Sequence, residues 1–143
     1  MEVELRQVWE GDLKNIYNWR NHPSVRKNSF STGKISMEEH LRYWNSRMND
    51  AAKHSFVIVA GGKDAGLVRL DPLKGAYEVH ILVAPEMQGK GIGLAAIAAA
   101  KEGARKLGIK KLVAQVKPGN AASQAIFSKN GFSGGPAYFE CEL

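Results

Sequence analysis

The most informative part of this chain is Glu78-Val79-His80-Ile81-Leu82-Val83-Ala84-Pro85-Glu86-Met87-Gln88-Gly89-Lys90-Gly91-Ile92-Gly93-Leu94. It reads as a strand that runs into a glycine-rich turn, and the turn opens a helix. Because glycine has no Cβ atom, successive backbone N–H groups in this turn can converge on one anion. The helix start adds partial positive charge, and Lys90 adds a full charge. The stretch therefore predicts a phosphate or pyrophosphate site.

The spacing of the glycines separates three kinds of glycine-rich anion site. A P-loop ends in Gly-Lys-Ser/Thr, whereas Gly91 is followed by Ile92. A dinucleotide-binding fingerprint needs G-x-G-x-x-G, whereas Gly89, Gly91 and Gly93 occupy every second position. Neither pattern fits. Judged by these glycines alone, the alternative to an anion site is a tight strand-to-helix turn that binds no ligand.

The turn resembles the Q/R-x-x-G-x-G/A signature of the GCN5-related N-acetyltransferases (GNAT). The resemblance implies that this turn holds the pyrophosphate of acetyl-coenzyme A, the co-substrate of the family. The residues that it implies for this role run from Gln88 to Gly93: Gln88, Gly89, Lys90, Gly91, Ile92 and Gly93.

A second block supports the same family. Asn120-Ala121-Ala122-Ser123, followed by Phe127 and by Gly131-Phe132, resembles the closing motif of the GNAT fold, so Asn120 and Phe127 are expected at the coenzyme. The family often has a tyrosine at the position of Phe127, where it protonates the departing thiolate. A phenyl ring cannot donate a proton, which leaves Ser128, Tyr138 or water as alternatives.

The rest of the chain reads as one mixed α/β (α+β) domain over residues 1–143, with strands in an antiparallel meander and helices between them. The predicted strands are 3–8, 55–60, 66–70, 76–83 and 111–116, with two short strands at Phe132 and 137–142. The predicted helices run from Asp12 towards Trp19, from Ser36, over 94–107 and over 120–130. A capping box between Ser36 and Glu39 begins the second helix, and Met37, Leu41, Trp44 and Met48 are expected to form its buried stripe.

The family resemblance adds expectations about the sheet. It implies a mostly antiparallel sheet of about six to seven strands, flanked by about four helices. It also implies that the strand ending at Val83 splays from the strand over 111–116. The pantetheine arm would lie in the resulting cleft, with the backbone of Leu82 and Val83 pairing with it.

Acetylation requires the neutral form of an amine, so a base is expected beside the thioester. Glu78 and His80 are the candidates, two residues apart on one strand and therefore on the same face. Histidine titrates near neutral pH, and a glutamate can act through water. The resemblance slightly favours Glu78, since the family's base most often lies on this strand. Each candidate has a structural alternative, a core histidine for His80 and a partner of Arg69 for Glu78.

The segment from Trp19 to Phe30 resembles the N-terminal half of GNAT enzymes that acetylate a nucleotide-linked 4-amino sugar in nonulosonic acid biosynthesis. A nucleoside diphosphate needs cations together with an aromatic or hydroxyl group. The candidate acceptor-binding residues are Arg20, Asn21, Arg26, Ser29 and Phe30. The alternatives are that Trp19 and Phe30 belong to the core, that Arg20 pairs with a helix acid, and that the acceptor is a ribosomal-protein α-amine.

Composition excludes several classes of protein. Twenty Lys and Arg against fourteen Asp and Glu give a net charge of +6, and 44% of the residues are hydrophobic. The apolar run over 92–100 is too short for a membrane span, and one cysteine with four scattered histidines offers no metal-ligand spacing. We expect a cytoplasmic enzyme for a small-molecule amine, without metal or membrane, and leave a homodimer open. A nucleic-acid-binding module lacks any groove-reading motif, while a non-catalytic coenzyme A-binding module stays open because of Phe127.

Overall fold

The computed structural model describes residues 1–135 and 137–143, and the strands in these residues form one seven-stranded sheet in the order β1-β2-β3-β4-β5-β7-β6. The strands are β1 (Val3–Gln7), β2 (His54–Ala60), β3 (Lys63–Leu73), β4 (Ala76–Val83), β5 (Lys111–Gln115), β6 (Ser133–Gly134) and β7 (Tyr138–Glu142). All neighbouring pairs are antiparallel except β4 and β5, which are parallel. The predicted fold class is therefore confirmed.

Five α-helices flank the sheet in the described residues. They are α1 (Leu13–Asn21), α2 (Pro23–Arg26), α3 (Met37–Met48), α4 (Ile92–Lys106) and α5 (Ala121–Lys129). The extra helix, α2, lies in a segment whose sequence predicts only a loop. Pro23 occupies its first turn, where a missing N–H costs nothing, and the His22 ring accepts a hydrogen bond from Ser24 N. Within this part of the chain, no helix has the length and apolar character needed to cross a membrane.

The helices pack on opposite faces of the sheet. The side chain of Arg47 on α3 reaches Ser55 on β2 and Asp71 on β3, which places α3 on one face. On the other face, the start of α4 at Gly93 lies against Val83 of β4 and Ile126 of α5. Because side chains alternate between the two faces along β4, some of them face the layer of α3 and the others face the layer of α4 and α5.

The buried face of α3 differs from the prediction. Trp44 is buried, but Met37, Leu41 and Met48 are each more than a third exposed. The buried residues of α3 are instead His40, Trp44 and Arg47. The prediction was wrong because it considered apolar residues alone, whereas two polar side chains find hydrogen-bonding partners beneath the helix. His40 Nε2 lies 2.7 Å from the carbonyl oxygen of Leu13, and Arg47 pairs with Asp71.

Candidate active site

The sheet is split between β4 and β5. These strands pair only at Tyr77 with Leu112 and at Glu78 with Val113, and they diverge beyond that point. The splay that the family resemblance implies is therefore present. It leaves the last residues of β4, from His80 to Val83, without partners on β5.

The backbone of β4 distinguishes Val83 from Leu82 at this gap. The carbonyl oxygen of Leu82 lies 2.1 Å from where a Cβ atom on Gly66 would be, so Leu82 faces β3. Ala84 N likewise donates to Ala65 O on that side. Because backbone groups alternate along a strand, Val83 faces the gap, and its carbonyl accepts from Gln88 Nε2 at 3.2 Å. The pairing of Leu82 and Val83 with the coenzyme stays a prediction. The backbone of Val83 faces the gap and that of Leu82 is directed to β3, while both residues line the cleft.

A cleft of about 920 Å³ opens at the split and has two ends. One end, here called the coenzyme end, is formed by the turn over 88–94, the end of β5 and α5. The other, here called the acceptor end, is formed by α1, α2, the segment over 28–35, α3 and the middle of β3 and β4. Thirteen of the predicted site residues line the cleft: Arg20, Ser29, Phe30, His80, Leu82, Val83, Gln88, Gly89, Gly91, Ile92, Gly93, Asn120 and Phe127. Asn21, Arg26, Glu78 and Lys90 do not line it.

The turn at the coenzyme end has the backbone that its glycines suggest. Gly89 and Gly91 both have φ of +77°, a conformation that disfavours residues with a Cβ atom. Gly91 is the residue before α4, and nothing lies within 4 Å of the position of a Cβ atom at either glycine. The first N–H groups of α4 therefore border an open space, which fits a diphosphate at a helix N-terminus.

Gly93 has a different role from the other two glycines. A Cβ atom at this position would lie 2.7 Å from Ile126 Cδ1, so glycine allows α4 to approach α5 closely. Of the three alternating glycines, Gly89 and Gly91 thus allow the backbone to turn, and Gly93 allows the two helices to pack closely.

Helix α5 begins and ends as predicted. The Asn120 side chain accepts a hydrogen bond from Ser123 N at 3.2 Å and caps the helix. Phe127 is 2% exposed, and its ring packs edge-on against Phe132 with centroids 5.0 Å apart. Neither Ser128 nor Tyr138, the two alternatives for protonating a thiolate, lines the cleft. Phe127 therefore contributes an apolar wall.

The acceptor end is built around the Arg20 guanidinium. Its Nη2 donates to the carbonyl oxygen of Ser31 at 3.0 Å, while its Nη1 is buried without a partner in residues 1–135 and 137–143. Partial burial, together with the positive charges of Arg69 and Arg26, lowers the pKa of Arg20 below its ordinary value. The alternative that Arg20 pairs with a helix acid is not what the structure has.

The other predicted acceptor residues divide by position. Ser29 and Phe30 line the cleft, and Phe30 is 65% exposed, so it is not a core residue. Asn21 bonds both backbone groups of Ile35 at 2.9 Å, which fixes the segment that carries Ser29 and Phe30. Arg26 lies outside the lining, and its charge acts on Arg20.

The two candidate bases touch each other. His80 lines the cleft, and its Nε2 lies 3.3 Å from Glu78 Oε1. The Nε2 atom also lies 3.2 Å from Asp71 Oδ2. Of the two candidates, His80 lines the cleft and Glu78 does not, and which of them is the base stays a prediction.

Sequence reasoning missed the residues that support His80. Asp71 is the register partner of Glu78, and Arg69 is the register partner of His80. Burial raises the pKa of Asp71, but hydrogen bonds from His80 and Arg47 and the charges of Arg47 and Arg69 outweigh it, so the pKa lies well below its ordinary value. This cluster has no local signal in the sequence, because Arg69 and Asp71 face His80 and Glu78 only once the register of β3 against β4 is fixed.

Comparison with known proteins identifies the family. Residues 2–133 match the model of the acetyltransferase (GNAT) domain. The chain is 30% identical to the spermidine N(1)-acetyltransferase of Escherichia coli K12 over 135 residues, which are 92% of this chain and 73% of that protein. It is 27% identical to the acetyltransferase PseH of Campylobacter jejuni over 81 residues, covering 56% of this chain and 51% of that one.

A solved structure agrees with the fold. The spermidine N-acetyltransferase of Vibrio cholerae in complex with CoA and spermine superposes with a TM-score of 0.87, at 24% identity and over 98% of this chain and 95% of that one. The split sheet, the glycine turn and the family match together lead to one conclusion. The chain belongs to the GNAT acetyltransferase family and is an N-acetyltransferase with acetyl-CoA as co-substrate.

Proposed function

We propose that this enzyme acetylates an amine whose molecule also carries an anionic group, with a nucleotide-linked amino sugar as the leading candidate. The observation that carries the proposal is the Arg20 guanidinium, which borders the cleft with Nη1 buried and unpartnered in the described residues. A buried N–H of a cation is costly unless an opposite charge or a hydrogen-bond acceptor meets it. A phosphate oxygen supplies both.

The charges around the acceptor end support this choice. Arg20 and Arg69 line it, and Glu39 is the only carboxylate residue that lines it in the described part of the chain. The Asp71 carboxylate is already paired with Arg47. An anionic acceptor would therefore gain from the same charges that a polycation would have to overcome.

A polyamine acceptor is the second candidate, because the spermidine N(1)-acetyltransferase of E. coli is 30% identical to this chain. Spermidine carries several positive charges at neutral pH, so it would need carboxylates along the cleft. The arginines at the acceptor end argue against it.

The proposed chemistry uses residues of the chain in three ways. His80 accepts the proton that the attacking amine nitrogen loses as the C–N bond forms and the C–S bond of the thioester breaks. The N–H of Val83, which faces the gap, donates to the carbonyl oxygen where negative charge develops. The departing thiolate takes a proton from water or from protonated His80, since Phe127 cannot supply one.

A panel of acceptors tests the proposal. Thiol release from acetyl-CoA is measured with UDP-linked amino sugars, the same sugars without nucleotide, spermidine and peptides with a free α-amine. We expect the highest kcat/KM for a nucleotide-linked sugar, since each charged hydrogen bond to the diphosphate contributes about 1.5–3 kcal/mol. A higher kcat/KM for spermidine or a peptide overturns the proposal.

Two matched variants test whether Arg20 contacts the acceptor. Arg20→Gln is expected to raise KM for the nucleotide-linked sugar about 10- to 100-fold, the equivalent of one charged hydrogen bond. Arg42→Gln makes the same change of charge on the exposed face of α3, where Arg42 pairs with Glu38, and should leave KM unchanged. Equal KM in both variants would mean that Arg20 does not meet the acceptor.

A further inference from the structure

We infer that Asp71 is a positioning residue that holds His80 with its proton on Nε2, so that Nδ1 is the nitrogen that takes the proton from the amine. This inference rests on the proposed role of His80 as the base. It adds a residue on β3 that does not line the cleft and that belongs to no motif in the sequence.

The orientation of the imidazole carries the inference. Nε2 lies 3.2 Å from Asp71 Oδ2 and 3.3 Å from Glu78 Oε1, so two carboxylates face the same ring nitrogen. A carboxylate only accepts hydrogen bonds, so it favours the tautomer with a proton on Nε2. Nδ1 then has its lone pair available, and it makes no hydrogen bond to the described residues.

Asp71 is fixed more firmly than Glu78. The buried Arg47 guanidinium, 3% exposed as a residue, donates to Asp71 Oδ1 and also to Ser55 and to the backbone of His54 and Leu70. Arg69 Nη1 lies 4.0 Å from the other oxygen, Asp71 Oδ2. Oδ2 is therefore held where it meets His80. Glu78 has no comparable anchor in residues 1–135 and 137–143, since its contact there is with His80.

The charged groups around His80 are two carboxylates and two guanidinium groups, an arrangement that suits a base. Strand β3 supplies Asp71 and Arg69, strand β4 supplies Glu78, and helix α3 supplies Arg47, with the Tyr43 hydroxyl on Arg69. When Nδ1 takes a proton, the ring becomes positive, and the negative charge of Asp71 lies on its far side. The proton moves from the amine nitrogen to Nδ1, and the Nε2 proton stays where it is.

The tautomer of His80 is the direct test, and it needs no turnover. In protein labelled with ¹⁵N-histidine, the nitrogen shifts of neutral His80 are assigned by comparison with His80→Gln. We expect a proton on Nε2 and an unprotonated Nδ1 in the wild type. The opposite tautomer overturns the inference, whatever the acceptor proves to be.

A double-mutant cycle tests the consequence for catalysis. His80→Gln is expected to lower kcat/KM about 10²- to 10³-fold, within the range of general base catalysis, and Asp71→Asn to lower it at least about 10-fold. In the His80→Gln background, Asp71→Asn should change kcat/KM less than about twofold, because the two residues act as one unit. A full additional loss in that background would make Asp71 a purely structural residue and overturn the inference.

Glu78→Gln separates the two carboxylates. We expect a smaller loss of kcat/KM for this variant than for Asp71→Asn, since Arg47 anchors Asp71 alone. A larger loss would assign the positioning role, or the base itself, to Glu78. If no amine in the panel is acetylated, the proposed function fails while the tautomer measurement still decides this inference.

Discussion

The two ends of the cleft are built in different ways. The coenzyme end consists mainly of backbone: a turn with two glycines at φ of +77°, the first N–H groups of α4 and an unpaired stretch of β4. The acceptor end consists of side chains, with Arg20 from α1, Tyr43 from α3, Arg69 from β3 and His80 from β4. Backbone geometry depends on a few adjacent residues, whereas a cluster of side chains depends on how distant elements pack.

This difference predicts how substitutions act at the two ends of the cleft. A diphosphate held by main-chain N–H groups places few demands on side chains beyond glycine. The acceptor end, in contrast, changes its charge with single substitutions on α1, β3 or β4. We therefore expect changes at the acceptor end to affect stability and acceptor choice, and changes at the coenzyme end to affect coenzyme affinity.

The largest expected effect concerns Arg47, which joins α3 to the sheet below the acceptor end. Arg47→Met removes one partner of a buried ion pair and leaves Asp71 without its main cation, which costs about 3–5 kcal/mol in such pairs. Urea unfolding measures the change. The matched control is Arg42→Met on the exposed face of α3, whose pair with Glu38 is worth less than about 1 kcal/mol. Equal losses would show that Arg47 does not anchor this end.

The second largest expected effect is a loss of coenzyme affinity caused by a substitution at the coenzyme end. Gly91→Asp places a carboxylate beside the proposed diphosphate, and like charges about 4 Å apart near a surface repel by about 4 kcal/mol. We expect calorimetry to give a coenzyme A affinity at least about 100-fold weaker. Gly62→Asp is the control, since Gly62 has φ of +80° with nothing near its Cβ position and lies at the β2–β3 turn. Unchanged affinity in Gly91→Asp would remove the diphosphate from this turn.

The same contrast decides how much could be predicted from the sequence. The glycine turn, the cap at Asn120 and the strand over 76–83 follow from local signals, and the structure has all three. Asp71 and Arg47 could not be found in this way, because their contacts with His80 and with each other depend on the register of β3 against β4 and on the rotation of α3. An apolar pattern also misplaced the buried face of α3, since two of its buried residues are polar.

A smaller effect tests the packing between α4 and α5. Gly93→Ala brings a Cβ atom to 2.7 Å from Ile126 Cδ1 and should cost about 1 kcal/mol of stability, at the low end for overpacking because a side-chain end can move. Ile126→Val removes that Cδ1 atom. In its background, Gly93→Ala should be neutral or stabilising, because alanine is favoured over glycine in a helix by about 0.5–1 kcal/mol. Chemical unfolding of all four proteins measures the cycle, and an equal cost in both backgrounds would contradict the contact.

The smallest expected effect is on the pH dependence of stability, and it arises at the acceptor end. Burial lowers the pKa of His40 below its ordinary value of 6.5 and outweighs the hydrogen bond to Leu13. The unfolded chain therefore binds a proton at His40 more readily than the folded one, so stability is full above about pH 6.5 and falls below it.

Two variants compared at pH 7.5 and pH 5.5 by thermal unfolding separate this contribution. His40→Gln should reduce the loss of stability on acidification, since glutamine does not titrate and can still donate to Leu13 O. Asn120→Ala at the coenzyme end should cost about 1 kcal/mol at both pH values, because the cap at Ser123 N involves no titrating group. If His40→Gln leaves the pH dependence unchanged, the pKa of His40 is the same in the folded and the unfolded protein. The acceptor end would then be more open to water than the burial of His40 implies.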